Sequence, residues 1–209
     1  MSESPFRSFR ETQLPHRFQK AYTFARDAHQ LRIPSQSEVV KPYLFHPVAM
    51  AENAIKAKFG DHVVIASLIH DVVDFTPVTF DHLHSLFDAK VHDLIYDMTC
   101  PVAAGSLSDD DYVEAYCRHL KQAHSEAQAL KLLDLSQTVV ALGVSNPYLC
   151  AHFVQRNQDL LLTLKPDHNS DQAHAALYLR AEYAFKWGTR RAYEKQVEAY
   201  SPKHSEAHV

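Results

Sequence analysis

Residues 62–75, HVVIASLIHDVVDF, constrain this chain more than any other segment. They are apolar around most of a helical circumference, yet they carry the adjacent pair His70-Asp71. A helix that is apolar all round belongs at the buried centre of a domain. An ionised carboxylate there is very costly unless a donor network, a cation or a metal ion meets it. The same tension recurs in ALKLLDL, where Asp134 interrupts a second apolar helix. The sequence therefore predicts helices packed around residues 62–74, with a polar site at their heart.

The flanking segments read as helix throughout. Phe18, Ala21, Tyr22, Ala25 and Ala28 fall at steps of three and four, an amphipathic helix ending near His29. RIPSQSEVVKPY breaks the pattern with two prolines and reads as a loop. A helix over 45–59 enters through His46-Pro47, where proline suits the first turn, and Gly60-Asp61 ends it. Asp61 is placed to cap the next helix, expected to run unbroken over 62–74. Thr79 begins a short helix, and AKVHDLIYDMT forms another. The Asp run at 109–111 is expected to cap a helix over 112–123. Ser125 opens a long helix, Asn146-Pro147 turns the chain into the next, and a last helix spans 171–199. Neither strand alternation nor a repeat is present. At ~11–12 residues per helix, 209 residues suit one all-α domain, residues 1–209, of roughly eight to ten helices.

Composition narrows the function. The formal net charge is −4, so no global basic field exists to hold long nucleic acid, and a small anionic substrate needs a locally basic pocket. Cys100, Cys117 and Cys150 form no CxxC pair, which fits a reducing, cytoplasmic setting. The first residues lack the apolar core of a signal peptide, and no apolar run approaches the ~20 residues of a membrane span. No P-loop or GxGxxG is present. Of 15 histidines, His62, His82, His84, His92, His119 and His124 are expected at the surface or at helix ends.

The candidates that remain are His46, His70, Asp71 and Asp134. Two imidazoles and two carboxylates suit Mn²⁺, Fe²⁺ or another first-row ion better than structural zinc. A plainer alternative stays open, in which His70 bonds Asp71 and Asp134 pairs with Lys131 one turn away. Asp74, four residues beyond His70, shares its helical face and is the local candidate for managing a proton. Arg32, Lys41 and Lys131 are candidates for holding a phosphorylated ligand.

PYLFHPVAMA, ASLIHDVVDFT, FDAKVHDLIYDMT and ALKLLDLSQT occur in that order. Together, over about residues 22–142, they resemble the hydrolase domain of RelA/SpoT proteins and the small alarmone hydrolases of the metazoan SpoT type. A helical remainder at 147–199 is compatible with them. The resemblance implies a compact HD-domain fold and one divalent metal, usually Mn²⁺, held by His46, His70, Asp71 and Asp134. It also implies removal of the 3′-pyrophosphate from (p)ppGpp-like nucleotides, with Asp74 at the first acid of the ED pair and Tyr43 lining the pocket. The sequence departs from the family at Phe75, where the second acid belongs, and at Thr138, where a nucleotide-contacting asparagine belongs. Three readings stay open: a pyrophosphohydrolase of an alarmone or related nucleotide, an HD-type nucleotide phosphomonoesterase, and a degenerate domain that binds a nucleotide or partner. Tyr178, Tyr183, Phe185 and Trp187 are read as helix packing or a subunit interface, which leaves a homodimer open.

Overall fold

In the computed structural model, which describes residues 14–31, 45–102, 106, 108–167 and 170–200, the apolar segment does occupy the centre. A single 3-10 turn, His16–Phe18, leads into α1 (Gln19–Gln30), followed by α2 (Phe45–Lys56) and α3 (Asp61–Ile69). After the one-turn α4 (Val72–Phe75) come α5 (Phe80–Leu86), α6 (Ala89–Met98) and α7 (Asp109–Gln122). The chain finishes with α8 (Ser125–Ser145), α9 (Pro147–Arg156), α10 (Gln158–Thr163) and α11 (Gln172–Tyr200). The described residues include no strand, so the chain is all-α as its periodicity predicts.

Val63, Val64, Ala66, Leu68 and Ile69 of α3 are buried, and α3 packs against α1, α2 and α6. The second buried helix is α8, which is covered by α2, α6, α9 and α11. These two helices carry the polar interruptions, so the fold brings His70-Asp71 and Asp134 into one interior. No helix among the described residues is long and apolar enough to cross a membrane.

Three local expectations are corrected. The helix predicted over 62–74 breaks at Asp71, whose φ of −109° and ψ of 4° separate α3 from α4. At the break, His70 Nδ1 donates to the Ser67 carbonyl at 3.0 Å. Asp61 is not the cap of α3; Gly60 holds that place, and the Asp61 carboxylate pairs with Arg17 at 2.9 Å. The helix expected from 112 begins at Asp109, because Ser108 Oγ accepts from the Asp111 amide at 3.3 Å. The three aspartates therefore fill the first turn, where the helix dipole favours negative charge.

The long α11 docks on α8 through small residues. The Trp187 ring lies so close to Gly143 that a Cβ there would meet it at 2.3 Å. At Gly188 a Cβ would meet Cys150 Sγ and Val139 Cγ1, both at 2.8 Å and both from fully buried residues. Alanine gains about 1 kcal/mol over glycine in helix propensity. Overpacking a closed core costs about 1–3 kcal/mol. Gly188→Ala is thus expected to lose up to about 2 kcal/mol, read as a lower urea midpoint with unchanged slope; a gain in stability would show that Cys150 and Val139 yield freely. The C-terminal aromatics divide: Tyr178 and Phe185 are core, Trp187 is half-buried, and Tyr183 is exposed.

Candidate metal centre

Three helices deliver one cluster. His46 stands at the start of α2, where Pro47 follows without needing an amide partner. His70 closes α3, and Asp134 lies in the middle of α8. One ligand atom from each of the three lies within 4.8 Å of the others. His46 Nε2 is 2.9 Å from Asp134 Oδ1, and His70 Nε2 is 3.9 Å from the same oxygen. The two imidazoles meet edge to face with ring centres 5.2 Å apart.

The bond from His70 Nδ1 to the Ser67 carbonyl also orients the ring. A carbonyl only accepts, so Nδ1 carries a proton and Nε2 is the nitrogen that faces the cluster. The plain reading of a bonded His70-Asp71 pair is thereby set aside for a bonded His70-Ser67 pair. The other plain pairing is present: Lys131 Nζ is 2.8 Å from Asp134 Oδ2. Thr138 is buried, and its hydroxyl donates to Asp134 Oδ1 at 3.4 Å.

Asp71 stands outside the tight trio, and its partner is a residue that sequence reasoning did not single out. His29, on α1, donates from Nε2 to Asp71 Oδ1 at 3.2 Å with only 3% of its side chain exposed. Burial alone would raise the Asp71 carboxyl. The charge of His70, then the bond and charge of His29, outweigh burial and lower it from 3.8 to about 2. A carboxyl depressed in the folded state contributes stability above its unfolded value and loses it as pH falls through the folded one. In chelator, this contribution should fade as pH drops from 3.8 to about 2. His29→Gln is expected to move acid unfolding, followed by circular dichroism, to higher pH; an unmoved midpoint would mean His29 does not hold Asp71.

Asp74 is reached by solvent, yet protein crowds it on most sides. That crowding pushes its carboxyl above the ordinary value, Lys131 opposes the shift, and Asp71 adds to it. At Asp134, burial pulls upward, but Lys131 and then His46 hold the carboxyl well below the usual range. Lys131 is thus the positive charge that Asp74 and Asp134 both face, whereas Asp71 is met by His70, His29 and His46. Two imidazole nitrogens, clustered carboxylates and an excess of negative charge fit a divalent first-row cation.

Arg32, Lys41 and Tyr43 lie outside the described residues. Phe75, in the place of the second acid, is 41% exposed. Of the histidines expected outside the site, His62 pairs with Glu126 at 2.8 Å and His124 with Asp97 at 2.6 Å. A groove of about 780 Å³, lined among others by Asp110, Glu114, Cys117 and Arg156, includes none of the clustered residues.

Over 89 residues, 41% of its length, the chain is 37% identical to the bifunctional (p)ppGpp synthase/hydrolase SpoT of Escherichia coli K12. Over 71 residues, 34% of its length, it is 38% identical to the guanosine-3′,5′-bis(diphosphate) 3′-pyrophosphohydrolase of Haemophilus influenzae. These matches span only 12% and 10% of the relatives' lengths. No protein-family model matches the chain. In structure it is similar to a metazoan ortholog of SpoT, described as hydrolysing ppGpp and acting in starvation responses, with TM-score 0.64. That likeness covers 83% of this chain and 96% of the other at 20% identity. A Listeria monocytogenes protein aligns with TM-score 0.59 over 72% of this chain and 97% of its own, also at 20% identity. The fold is therefore the one those two proteins share.

Proposed function

We propose that this chain is a metal-dependent phosphohydrolase that releases pyrophosphate from the 3′ position of guanosine-3′,5′-bis(diphosphate) or a related phosphorylated nucleotide. The observation that carries the reading is the convergence of His46, His70 and Asp134, from three separate helices, within 4.8 Å. The stretch of sequence similar to SpoT-type hydrolases supports the substrate class. His46, His70 and Asp134 would hold one divalent cation, with Asp71 as fourth ligand and Mn²⁺ the ion of choice. When bound, the cation supplies Lewis acidity toward water and a phosphoryl oxygen.

The remaining work falls to the chain's own side chains. His70 keeps its Nε2 toward the site through the Ser67 bond. Asp74 accepts the proton of the attacking water on its carboxylate; crowding by protein brings its pKa nearer the working pH, where a general base is most effective. A cytoplasmic location suits the thiol content and the substrate.

A second reading, a domain that binds the nucleotide without turning it over, draws on two observations. Phe75 offers no second carboxylate, and the Thr138 hydroxyl is directed to Asp134 rather than presented as an amide would be. Metal analysis followed by a Mn²⁺-supplemented hydrolysis screen against ppGpp, pppGpp and ordinary nucleotides separates the two. Pyrophosphate release that disappears in Asp71→Ala is expected. Inorganic phosphate as product would instead indicate a phosphomonoesterase. Metal-loaded protein that turns over nothing would leave the binder, and protein that takes up no metal would end the assignment of the ligands. Phe75→Asp is expected to raise any pyrophosphohydrolase rate; an unchanged rate would show that the pocket has diverged beyond this position.

A further inference from the structure

A lysine beside a cation site is an electrostatic liability, because its charge opposes the ion that the surrounding carboxylates attract. Lys131 occupies that position. Its side chain is 14% exposed and its Nζ lies 2.8 Å from Asp134 Oδ2. The ammonium also sits 5.1 Å from the centre of the Tyr116 ring, a cation–π distance. Tyr116 is itself pinned, since its hydroxyl donates to the Met98 carbonyl at the end of α6. The two oxygens of Asp134 are therefore divided in use. Oδ2 faces Lys131, whereas Oδ1 faces His46 at 2.9 Å, Thr138 at 3.4 Å and His70 at 3.9 Å.

Two of these partners, Lys131 and Thr138, stand on α8 itself, and of the two only Lys131 is charged and holds Oδ2. Lys131 lies one turn before Asp134 on α8, so the contact needs no tertiary rearrangement to form. The aromatic floor limits where the ammonium can go. With Oδ2 held, rotation of the carboxylate about its last torsion is stopped and Oδ1 stays aimed at the two imidazoles.

We propose that Lys131 is a positioning residue: seated on Tyr116, it anchors Asp134 Oδ2 so that Asp134 serves the cluster through Oδ1 alone. Lys131 then does not bind the substrate, the role its sequence position alone left open. The inference rests on the metal-site reading above.

The test compares Mn²⁺ binding to the full chain, by electron paramagnetic resonance of free Mn²⁺, in wild type, Lys131→Met and Lys131→Gln. Methionine keeps the length without a donor, and glutamine keeps a donor without the charge. Wild type that binds no Mn²⁺ overturns the metal-site reading itself. With wild-type binding established, Lys131→Met is expected to bind about 10–100-fold more weakly, the usual effect of losing a partner that orients a ligand. Lys131→Gln is expected to stay within a few-fold of wild type. If both variants bind as tightly as wild type or more tightly, Lys131 is only an opposing charge and the proposal is overturned. Equal weakening of both overturns it as well, since the donor would then be insufficient. Should Lys131→Met fail to fold, Lys131→Ala replaces it beside Lys131→Gln, with about tenfold or weaker binding in the alanine variant alone supporting the proposal and wild-type affinity in both overturning it. Steady-state kinetics give an independent readout. Positioning predicts a higher Mn²⁺ requirement with unchanged KM at saturating Mn²⁺, whereas a substrate contact predicts a raised KM that Mn²⁺ does not correct.

Discussion

Asp134→Ala is expected to cost the metal-free protein about 3 kcal/mol of unfolding free energy and to erase divalent-cation binding. Lys131 and His46 both turn to this carboxylate, with side chains only 14% and 11% exposed. Deleting one partner of a buried ion pair typically costs about 3–5 kcal/mol, because the other charge stays buried without compensation. Asp74 remains within the field of Lys131, which places the expected loss at the lower end of that range. Urea unfolding in chelator measures the stability, and Mn²⁺ titration measures the binding. A loss below about 1 kcal/mol, the worth of an exposed pair, would mean that water reaches Lys131 freely. Retained Mn²⁺ affinity would remove Asp134 from the ligand set.

The second large effect separates chemistry from binding. Asp74→Asn is expected to lower turnover about 10²–10⁴-fold, the usual contribution of a positioned acid or base, with Mn²⁺ affinity kept within a few-fold. The carboxyl of Asp74 is raised by crowding, and its ionised form is the one that accepts a proton. The rate should therefore climb with pH through that raised value, and the asparagine variant should lack this limb. An unchanged limb in the variant would assign it to another group. Loss of Mn²⁺ binding along with turnover would make Asp74 part of the ligand set instead.

Much of this architecture is legible in the residues alone, and the parts that are not have identifiable causes. The burial of α3 and α8 follows from apolar residues that surround both helices, and the clustering of His46, His70 and Asp134 follows from polar residues that such helices cannot leave unmet. His29 does not stand out in the sequence because it closes an ordinary amphipathic segment. Its signal is its register: it stands four residues after Ala25 and seven after Tyr22, on the face whose residues are buried. The break between α3 and α4 is invisible to periodicity, since the apolar pattern continues across it. A side-chain bond from His70 to the backbone of Ser67 marks it, and no count of hydrophobic spacing registers such a bond. The start of α7 is ambiguous in the sequence because aspartates suit both a cap and a first turn, and in the structure Ser108 takes the cap. The sequence leaves Lys131 either an ion-pair partner or a ligand contact, and its 2.8 Å approach to Asp134 shows which atom it faces.

Trp187 is the chain's one tryptophan, and its ring rests on Gly143 of the same helix that carries Asp134. Its fluorescence is thus an optical gauge of how α11 seats on α8. If α11 lifts away, the indole moves from protein into water and its emission shifts to the red, at an excitation wavelength where the chain's 10 tyrosines absorb little. Any event that unseats α11 from α8, unfolding above all, can be followed through that one signal, with no label attached.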